Sequence, residues 1–296
     1  ERIALPDQRD ESKAEAYRRG DHGTFLFFQH LRKAGGTNFC SLAESNLPKT
    51  ALPSYYCMPD MGWSGNKNAG YLHRWSNKEI TNRMTLQGFR IAGNEWENFD
   101  PTRHFDLPGA TFATSFRRPL DRALSQFRFE CIEDRGCPIK DVNQWWSRRP
   151  DLYNVYTKTF SDPPNNGIRK HFEGSLDANV RKRKELMALA MDTLSKFNIV
   201  LVMEWLAYAA PQVQDVLGFK DTTALTERVR PHINQAKRND GQDVNKLGSA
   251  GIKKASWVPK EYLDAEQYKI MQEHLAMDEI LTDIARRFFL ERLVCN

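Results

Sequence analysis

The sequence predicts an α/β fold in which helices flank a central parallel sheet. Short apolar segments that indicate buried strands alternate with amphipathic stretches that indicate helices, and this alternation is typical of parallel sheets. Of the 296 residues, 40% are hydrophobic and 27% are charged, which is ordinary for a globular protein. This composition excludes an intrinsically disordered chain.

The first predicted unit has the order strand, loop, helix. Residues 24–28 are aromatic and apolar and predict a buried strand, a loop with two glycines follows, and residues 38–46 have the apolar spacing of a helix. The polar residues 1–23 predict an N-terminal arm or a surface helix. This order is that of the first half of a nucleotide-binding unit.

The rest of the chain predicts three more strands, at residues 89–92, 111–116 and 198–204. Further helices are predicted at about residues 120–130, 176–196 and 209–217 and from residue 260 onward. Residues 48–80 are rich in Pro, Gly, Asn and aromatic side chains and predict a loop-rich insertion. No composition break marks a second domain, so residues 24–296 are expected to form one.

The net charge of +5 constrains the partners. It is too small for a protein that coats duplex nucleic acid, and it is compatible with an anionic small ligand. No stretch has the roughly 18 apolar residues of a membrane span, so the chain as given is expected to be soluble. Because it begins with Glu rather than Met, a membrane anchor outside this chain is compatible with the sequence.

The spacing of Cys131 and Cys137 permits a disulfide across the turn-like residues 134–136, which would suit an oxidising compartment. It equally permits two reduced thiols, and both interpretations stay open. The chain has five cysteines, and no Cys or His pair shows metal-ligand spacing. No metal site is therefore expected.

A first motif, residues 29–38, lies between the first predicted strand and its helix. Gly35 and Gly36 let the backbone turn tightly around an anion, and the helix N-terminus adds partial positive charge. Lys33 adds a full charge and Thr37 a hydroxyl. The lysine precedes the glycines, so this is not a Walker A sequence. By itself the segment fits either an oxyanion-binding loop or a simple helix cap.

A second motif, residues 115–127, begins at the end of the third predicted strand. Arg117 follows the carboxyl end of that strand, which is where ligands bind in open α/β sheets. Ser125 lies about two helical turns further on, and its hydroxyl and Arg117 suit a shared phosphate group. The alternative is that Arg117 caps the sheet and Ser125 is an ordinary surface residue.

Taken together, the two motifs resemble the 5′-phosphosulfate loop and the 3′-phosphate site of sulfotransferases that use 3′-phosphoadenosine 5′-phosphosulfate (PAPS), and Golgi carbohydrate sulfotransferases in particular. Residues 197–204 and 278–281 are similar to later segments of the family, so the resemblance covers most of residues 24–293. It implies a P-loop-like sheet and the transfer of a sulfuryl group from PAPS to a hydroxyl, with 3′-phosphoadenosine 5′-phosphate (PAP) as product.

The resemblance also implies roles for individual residues. The phosphosulfate would be held by Arg32, Lys33, Ala34, Gly35, Gly36, Thr37 and Asn38. Arg117 and Ser125 would hold the 3′-phosphate. Lys33 would in addition be catalytic, because its charge would stabilise the bridging oxygen during in-line transfer. No metal is required by the motifs.

The base that accepts the hydroxyl proton is less clear, because Asn94 stands where relatives carry a histidine. Glu95 is the predicted catalytic base, since it follows a strand and a glycine turn and abuts an aromatic residue. A solvated loop carboxylate is the alternative interpretation of Glu95. The reserve candidates are Glu97, His73 and His104.

The resemblance implies a glycan as the hydroxyl-bearing acceptor, no nucleic-acid partner, and the Golgi lumen as the location of a truncated type II membrane protein. Two other functions stay open. A P-loop-like nucleotide kinase or NTPase is disfavoured because the Gly-Lys-Ser/Thr order and a convincing Mg²⁺-binding Asp are missing. A non-catalytic anion-binding or glycan-binding module is the other. The acceptor and the oligomeric state are not predicted.

Overall fold

Four parallel strands form the centre of the computed structural model: β1 (Phe25–Gln29), β2 (Ile91–Asn94), β3 (Ala110–Phe116) and β4 (Ile199–Val202), in the spatial order β2-β1-β3-β4. The predicted α/β fold with a central parallel sheet flanked by helices is thereby confirmed. The structure describes residues 5–53, 57–59, 72–95, 97–133, 137–139, 141–161, 180–226 and 263–294.

The helices are α1 (Glu11–Arg19), α2 (Gly36–Asn46), α3 (Asn77–Gln87), α4 (Pro101–His104), α5 (Pro119–Phe127), α6 (Val142–Ser147), α7 (Val155–Ser161), α8 (Val180–Ser195), α9 (Ala210–Leu217), α10 (Ala265–His274) and α11 (Ala276–Val294). Short 3₁₀ helices occur at Lys49–Ala51, Leu72–Arg74, Pro150–Leu152, Met203–Tyr208 and Thr223–Leu225, and a π-helical segment at Arg128–Glu133. No helix in the described part of the chain is long and apolar enough to cross a membrane.

The strands are buried on both faces, as expected for a parallel sheet covered by helices. Alternate side chains of β1 enter opposite cores: Phe25 and Phe27 join one cluster, and Leu26 and Phe28 the other. Helices α3, α7 and α8 contribute to the first cluster, and α1, α2 and α9 to the second. Because helices cover both faces of the sheet, functional side chains are expected at the ends of the strands.

β1 and β3 differ from their predicted bounds by one residue, and β2 and β4 by up to two, for local reasons. β2 begins later than the predicted residues 89–92 because Phe89 still closes the preceding helix, its N–H donating to the Met84 carbonyl. β4 is shorter than the predicted residues 198–204 because the chain turns into the 3₁₀ helix Met203–Tyr208. Of the predicted insertion at residues 48–80, residues 54–56 and 60–71 lie outside the described residues.

The predicted N-terminal arm contains a helix, α1, that packs on the body of the protein. Asp10 caps it by accepting the N–H groups of Ser12 and Lys13, and Tyr17 is buried. The Arg90 guanidinium donates to the Tyr17 carbonyl (2.5 Å), and the Thr111 hydroxyl donates to the Lys13 carbonyl (3.1 Å). Helix α1 therefore lies as a surface helix over the sheet.

Two disulfides are present in the described residues. Cys131 and Cys137 are bonded, which decides between the two interpretations of their spacing. The second, Cys40–Cys57, was not predicted. It joins Cys40 of α2 to Cys57, and the Cys57 carbonyl accepts the N–H of Gly93 in β2 (2.6 Å).

Helices α7 and α11 cap each other's first turns. The Asn154 side chain accepts the N–H groups of Met277 (3.0 Å) and Asp278 (3.2 Å). The Asp278 carboxylate accepts those of Tyr156 (3.0 Å) and Thr157 (2.9 Å) in return. Burial raises the pKa of Asp278. This exchange fixes α7, which carries Tyr156 toward the end of β3.

Candidate functional site

The carboxyl ends of the four strands bring the candidate residues to one edge of the sheet. The glycine loop, residues 30–35, follows β1 and leads into α2. Glu95 follows β2, Arg117 follows β3, and Glu204 follows β4. Since ligands of open α/β sheets bind outside this edge, the geometry supports a ligand site here.

The backbone of the glycine loop turns sharply before α2. Lys33 and Gly35 both adopt left-handed conformations, with φ of 66° and 98°. For a residue with a side chain this costs about 1–3 kcal/mol, a strain that is concentrated at functional sites. Gly35 is the N-cap residue and has no side chain with which to cap the first-turn amides of α2. A helix that begins this way presents its N–H groups to an anion.

Side chains lie close to Gly35 and to Gly36, the first residue of α2. A Cβ at Gly35 would lie 2.6 Å from Met203 Sδ, and a Cβ at Gly36 would lie 1.8 Å from His30 Nε2. The imidazole of His30 thus lies directly against the first turn of α2. It also stacks on Phe28, with ring centroids 5.7 Å apart. His30 therefore supports the glycine loop from below, a role that the sequence analysis did not assign.

Strand β3 holds the glycine loop through two hydrogen bonds. The Ser115 hydroxyl donates to the Ala34 carbonyl (2.6 Å), and Arg117 Nη1 donates to the Lys33 carbonyl (3.3 Å). The two sequence motifs, which are far apart in the chain, are therefore in direct contact.

The side chains of Arg32 and Lys33 extend toward the π-helical segment. Lys33 Nζ lies 4.3 Å from the centre of the Phe129 ring, a cation–π distance. Arg32 lies between two carboxylates, 3.8 Å from Glu95 and 3.8 Å from Glu130. The loop thus has two cationic side chains just before the first turn of α2.

The remaining predicted binding residues, Thr37, Asn38 and Ser125, lie on helices α2 and α5. Asn38 donates its side-chain amide to the Ala224 carbonyl (3.2 Å), so its contribution to the loop would be made by its backbone. Thr37 is half-buried in the first turn of α2, and Ser125 is half-buried on α5.

Arg117 is fixed by neighbours that sequence reasoning missed. The Tyr156 hydroxyl donates to the Arg117 carbonyl (2.9 Å), and burial raises the pKa of Tyr156, which keeps it a neutral donor. The buried Arg122 guanidinium lies 5.7 Å from the centre of the Tyr156 ring. On the other side, the Arg118 N–H donates to Glu204 (2.9 Å). These contacts hold the backbone after β3 in place.

Asn94, the departure from the family pattern, has a structural role. Its side chain donates to Gln29 Oε1 (2.9 Å), while Gln29 Nε2 donates to the carbonyls of Asn94 (3.1 Å) and Glu97 (3.0 Å). Both amides are buried. This pairing joins the ends of β1 and β2. Glu95, the next residue, lies 3.7 Å from His30 and is directed toward the glycine loop.

Two of the reserve candidates form a pair. The Glu97 carboxylate is buried and accepts the N–H groups of Leu72 (2.8 Å) and His73 (3.0 Å) as well as contacting Nδ1 of the His73 ring. Burial raises the pKa of Glu97. The third reserve, His104, is buried beside Phe27 and Phe99, and burial lowers its pKa to about 3. His104 is therefore a neutral core residue.

Glu130 connects the glycine loop to α6 and was not predicted. Its carboxylate accepts hydrogen bonds from Gln126 (2.5 Å), from the Trp145 indole (3.1 Å) and from Arg149. π-Helical turns are frequent at functional sites. The sequence feature that could have indicated Glu130 is its position, about one helical turn beyond the second motif.

The described part of the chain contains no group of three or more His, Cys, Asp or Glu residues arranged to hold a metal ion. Among the described residues, the cationic groups that the two motifs place at this edge include those of Arg32, Lys33 and Arg117.

Neither a scan against protein-family models nor a search of curated proteins finds a match for this chain. Its function is therefore inferred from the residues and contacts at this edge of the sheet.

Proposed function

We propose that this chain is a PAPS-dependent sulfotransferase that transfers a sulfuryl group to a hydroxyl of a carbohydrate. The observation that carries the proposal is the hydrogen bond between Arg117 and the Lys33 carbonyl. It brings the cations of both motifs to one edge of the sheet. PAPS has an anionic group at each end of its ribose, the 5′-phosphosulfate and the 3′-phosphate, and two adjacent cationic positions match this pair.

The glycine loop fits the phosphosulfate end, in the manner of a P-loop. In the proposal the amides of Gly35, Gly36 and Thr37 point at the anion, and the backbone of Ala34 and Asn38 lines it. The Met203 side chain packs against Gly35, where a Cβ would lie 2.6 Å from its Sδ. Lys33 and Arg32 supply full charges beside these amides. Arg117 and Ser125 bind the 3′-phosphate.

PAPS supplies the activated sulfuryl group and a stable leaving group. The chain orients the donor and stabilises negative charge on the oxygen that links phosphate and sulfate. Lys33 has that role, and removal of one such donor typically reduces turnover about 10²–10³-fold. A base must also take the hydroxyl proton. Glu95, the base indicated by the sequence, lies 3.8 Å from Arg32 of the glycine loop.

The two disulfides support an oxidising compartment, in agreement with a Golgi lumenal enzyme. Cys40–Cys57 and Cys131–Cys137 are both formed, and such bonds persist in secretory compartments but are rare in the cytosol. We include the Golgi lumen in the proposal on this basis.

The test is transfer from radiolabelled PAPS to dextran and to chemically desulfated heparin and chondroitin, with release of inorganic sulfate counted as transfer to water. The wild-type chain should form labelled product, and Lys33→Ala should lose at least about 10²-fold of that rate while keeping its melting temperature. Absence of any transfer by the wild type would refute the proposal. Lys49→Ala, on a surface 3₁₀ helix, is the matched control.

A further inference from the structure

The strand order sets the side from which the acceptor approaches, provided that the proposed function holds. Arg117 follows β3 and the glycine loop follows its neighbour β1. A donor held by both has its 3′-phosphate over β3 and its phosphosulfate over β1. The next strand in the same direction is β2. In-line transfer requires the acceptor opposite the leaving oxygen, so the acceptor hydroxyl is expected over the end of β2.

Glu97 lies three residues beyond the end of β2, and its side chain pairs with His73 of the 3₁₀ helix Leu72–Arg74. The carboxylate of Glu97 is only 1% exposed, whereas the imidazole of His73 is 19% exposed and reaches the surface. The pair is tied to the glycine loop through Gln29, which directly precedes the loop and donates to the Glu97 carbonyl (3.0 Å).

Several contacts hold His73. Its N–H donates to the Glu97 carboxylate (3.0 Å), its ring Nδ1 contacts the same carboxylate, and its carbonyl accepts from Arg103 (3.2 Å). A carboxylate at Nδ1 favours the tautomer with the proton on that nitrogen, which makes Nε2 a proton acceptor. This is how a general base is oriented in enzymes that deprotonate a hydroxyl.

We infer that His73 is the general base of the proposed transfer and that Glu97 is a positioning residue that acts through it. The acceptor oxygen forms a bond to sulfur while the bond from sulfur to the bridging oxygen breaks. The electron pair of the broken bond stays on the phosphate oxygen of PAP, and the hydroxyl proton passes to His73 Nε2. Glu95 then has a different task, which is to hold Arg32 in the glycine loop through their 3.8 Å contact.

The experiment compares His73→Ala, Glu97→Gln and Glu95→Gln in the radiolabelled transfer assay, with PAP affinity measured in parallel. His73→Ala should lower kcat about 10²–10⁴-fold without weakening PAP binding, and added imidazole should restore part of the rate. Glu97→Gln should lower kcat by a smaller factor. His22→Ala, an exposed histidine at a turn, is the matched control and should leave kcat unchanged.

The inference is overturned if His73→Ala keeps kcat within twofold, or if Glu95→Gln alone abolishes turnover at unchanged PAP affinity. His73→Gln, which retains a side chain of similar length, decides the matter if His73→Ala does not fold. A wild-type chain that transfers to no acceptor, water included, refutes the proposed function and the base assignment together. Transfer by the His73 variants at a rate within twofold of that of the wild type refutes the base assignment alone.

Discussion

Arg117, the residue after β3, donates a hydrogen bond to the carbonyl of Lys33 (3.3 Å), which joins the end of this strand to the glycine loop. A residue that only caps the sheet could make the same contact, so ligand titration of an Arg117 variant is needed to separate the two interpretations. This titration is the basis of the first prediction.

Arg117→Ala should weaken PAP binding about 10-fold to 100-fold, because one charge-assisted hydrogen bond contributes about 1.5–3 kcal/mol. Binding of 5′-AMP should change much less, since it lacks the 3′-phosphate. Calorimetric titration with both ligands measures the difference. Arg118→Ala, the exposed neighbour, should leave both affinities unchanged. An equal loss for the two ligands would remove the 3′-phosphate assignment.

Tyr156→Phe should lower PAP affinity without touching the ligand, because it removes the donor to the Arg117 carbonyl. The lost hydrogen bond should also cost about 1 kcal/mol in the free energy of unfolding. Urea unfolding and PAP titration measure the two effects. Tyr208→Phe, at an exposed tyrosine, provides the comparison. Unchanged PAP affinity in Tyr156→Phe would show that the backbone of Arg117 needs no such support.

Gly36→Ala should destabilise the protein and abolish PAP binding, because the new Cβ would lie 1.8 Å from His30 Nε2. Overpacking of this kind costs about 1–3 kcal/mol or more. Adding His30→Ala should recover part of the lost stability by removing the overlap. Gly88→Ala, where a Cβ meets no atom within 4 Å, should cost only its backbone strain at φ +67°. Wild-type stability of Gly36→Ala would contradict the close packing of His30.

Reducing the disulfides should lower the melting temperature and weaken PAP binding. Cys40 and Cys57 are 17 residues apart, and their disulfide links α2 to the segment that pairs with Gly93 of β2. In the chain-entropy model, a disulfide that closes a loop of this length contributes about 3 kcal/mol. Cys40→Ser measured with and without reductant separates this bond from Cys131–Cys137. If the melting temperature of the wild type is insensitive to reductant, the disulfides add no stability.

Stability should fall as the pH drops below the ordinary pKa of histidine, because burial lowers the pKa of His104 to about 3. The folded state keeps His104 neutral while the unfolded state takes up the proton. The contribution is therefore present above the unfolded pKa of 6.5 and is lost progressively as pH falls toward about 3. Between pH 7.5 and 5 the loss is about 2 kcal/mol. Urea unfolding of the wild type and His104→Gln should show this slope in the wild type alone.

The sheet and the glycine loop were predictable because their signals are local. The aromatic run at residues 24–28, followed at once by two glycines, indicates a strand and a tight turn without knowledge of any other segment. The position of Arg117 was predictable from the apolar run at residues 111–116, which indicates a strand that ends just before it. Parallel strands then bring these ends together, which is why two distant motifs could be assigned to one edge.

The contacts that orient the candidate site were not predictable, since each joins segments distant in sequence. The pairing of His73 with Glu97, the bond between Cys40 and Cys57, and the support of Arg117 by Tyr156 depend on how helices pack on the sheet. The role of Asn94 illustrates the limit. Its sequence position suggested a site residue, whereas its side chain is used to join β1 to β2 through Gln29.

The central claim, that one doubly anionic adenosine donor bridges the glycine loop and Arg117, is tested most directly by thermal stabilisation with PAP compared with ADP plus Mg²⁺. A ligand that binds the folded state raises the melting temperature, and at equal concentration the tighter ligand raises it more. PAP should raise it clearly more than ADP plus Mg²⁺ does, and Arg117→Ala should remove most of that advantage. A larger rise with ADP plus Mg²⁺, or no rise with PAP, would contradict the account.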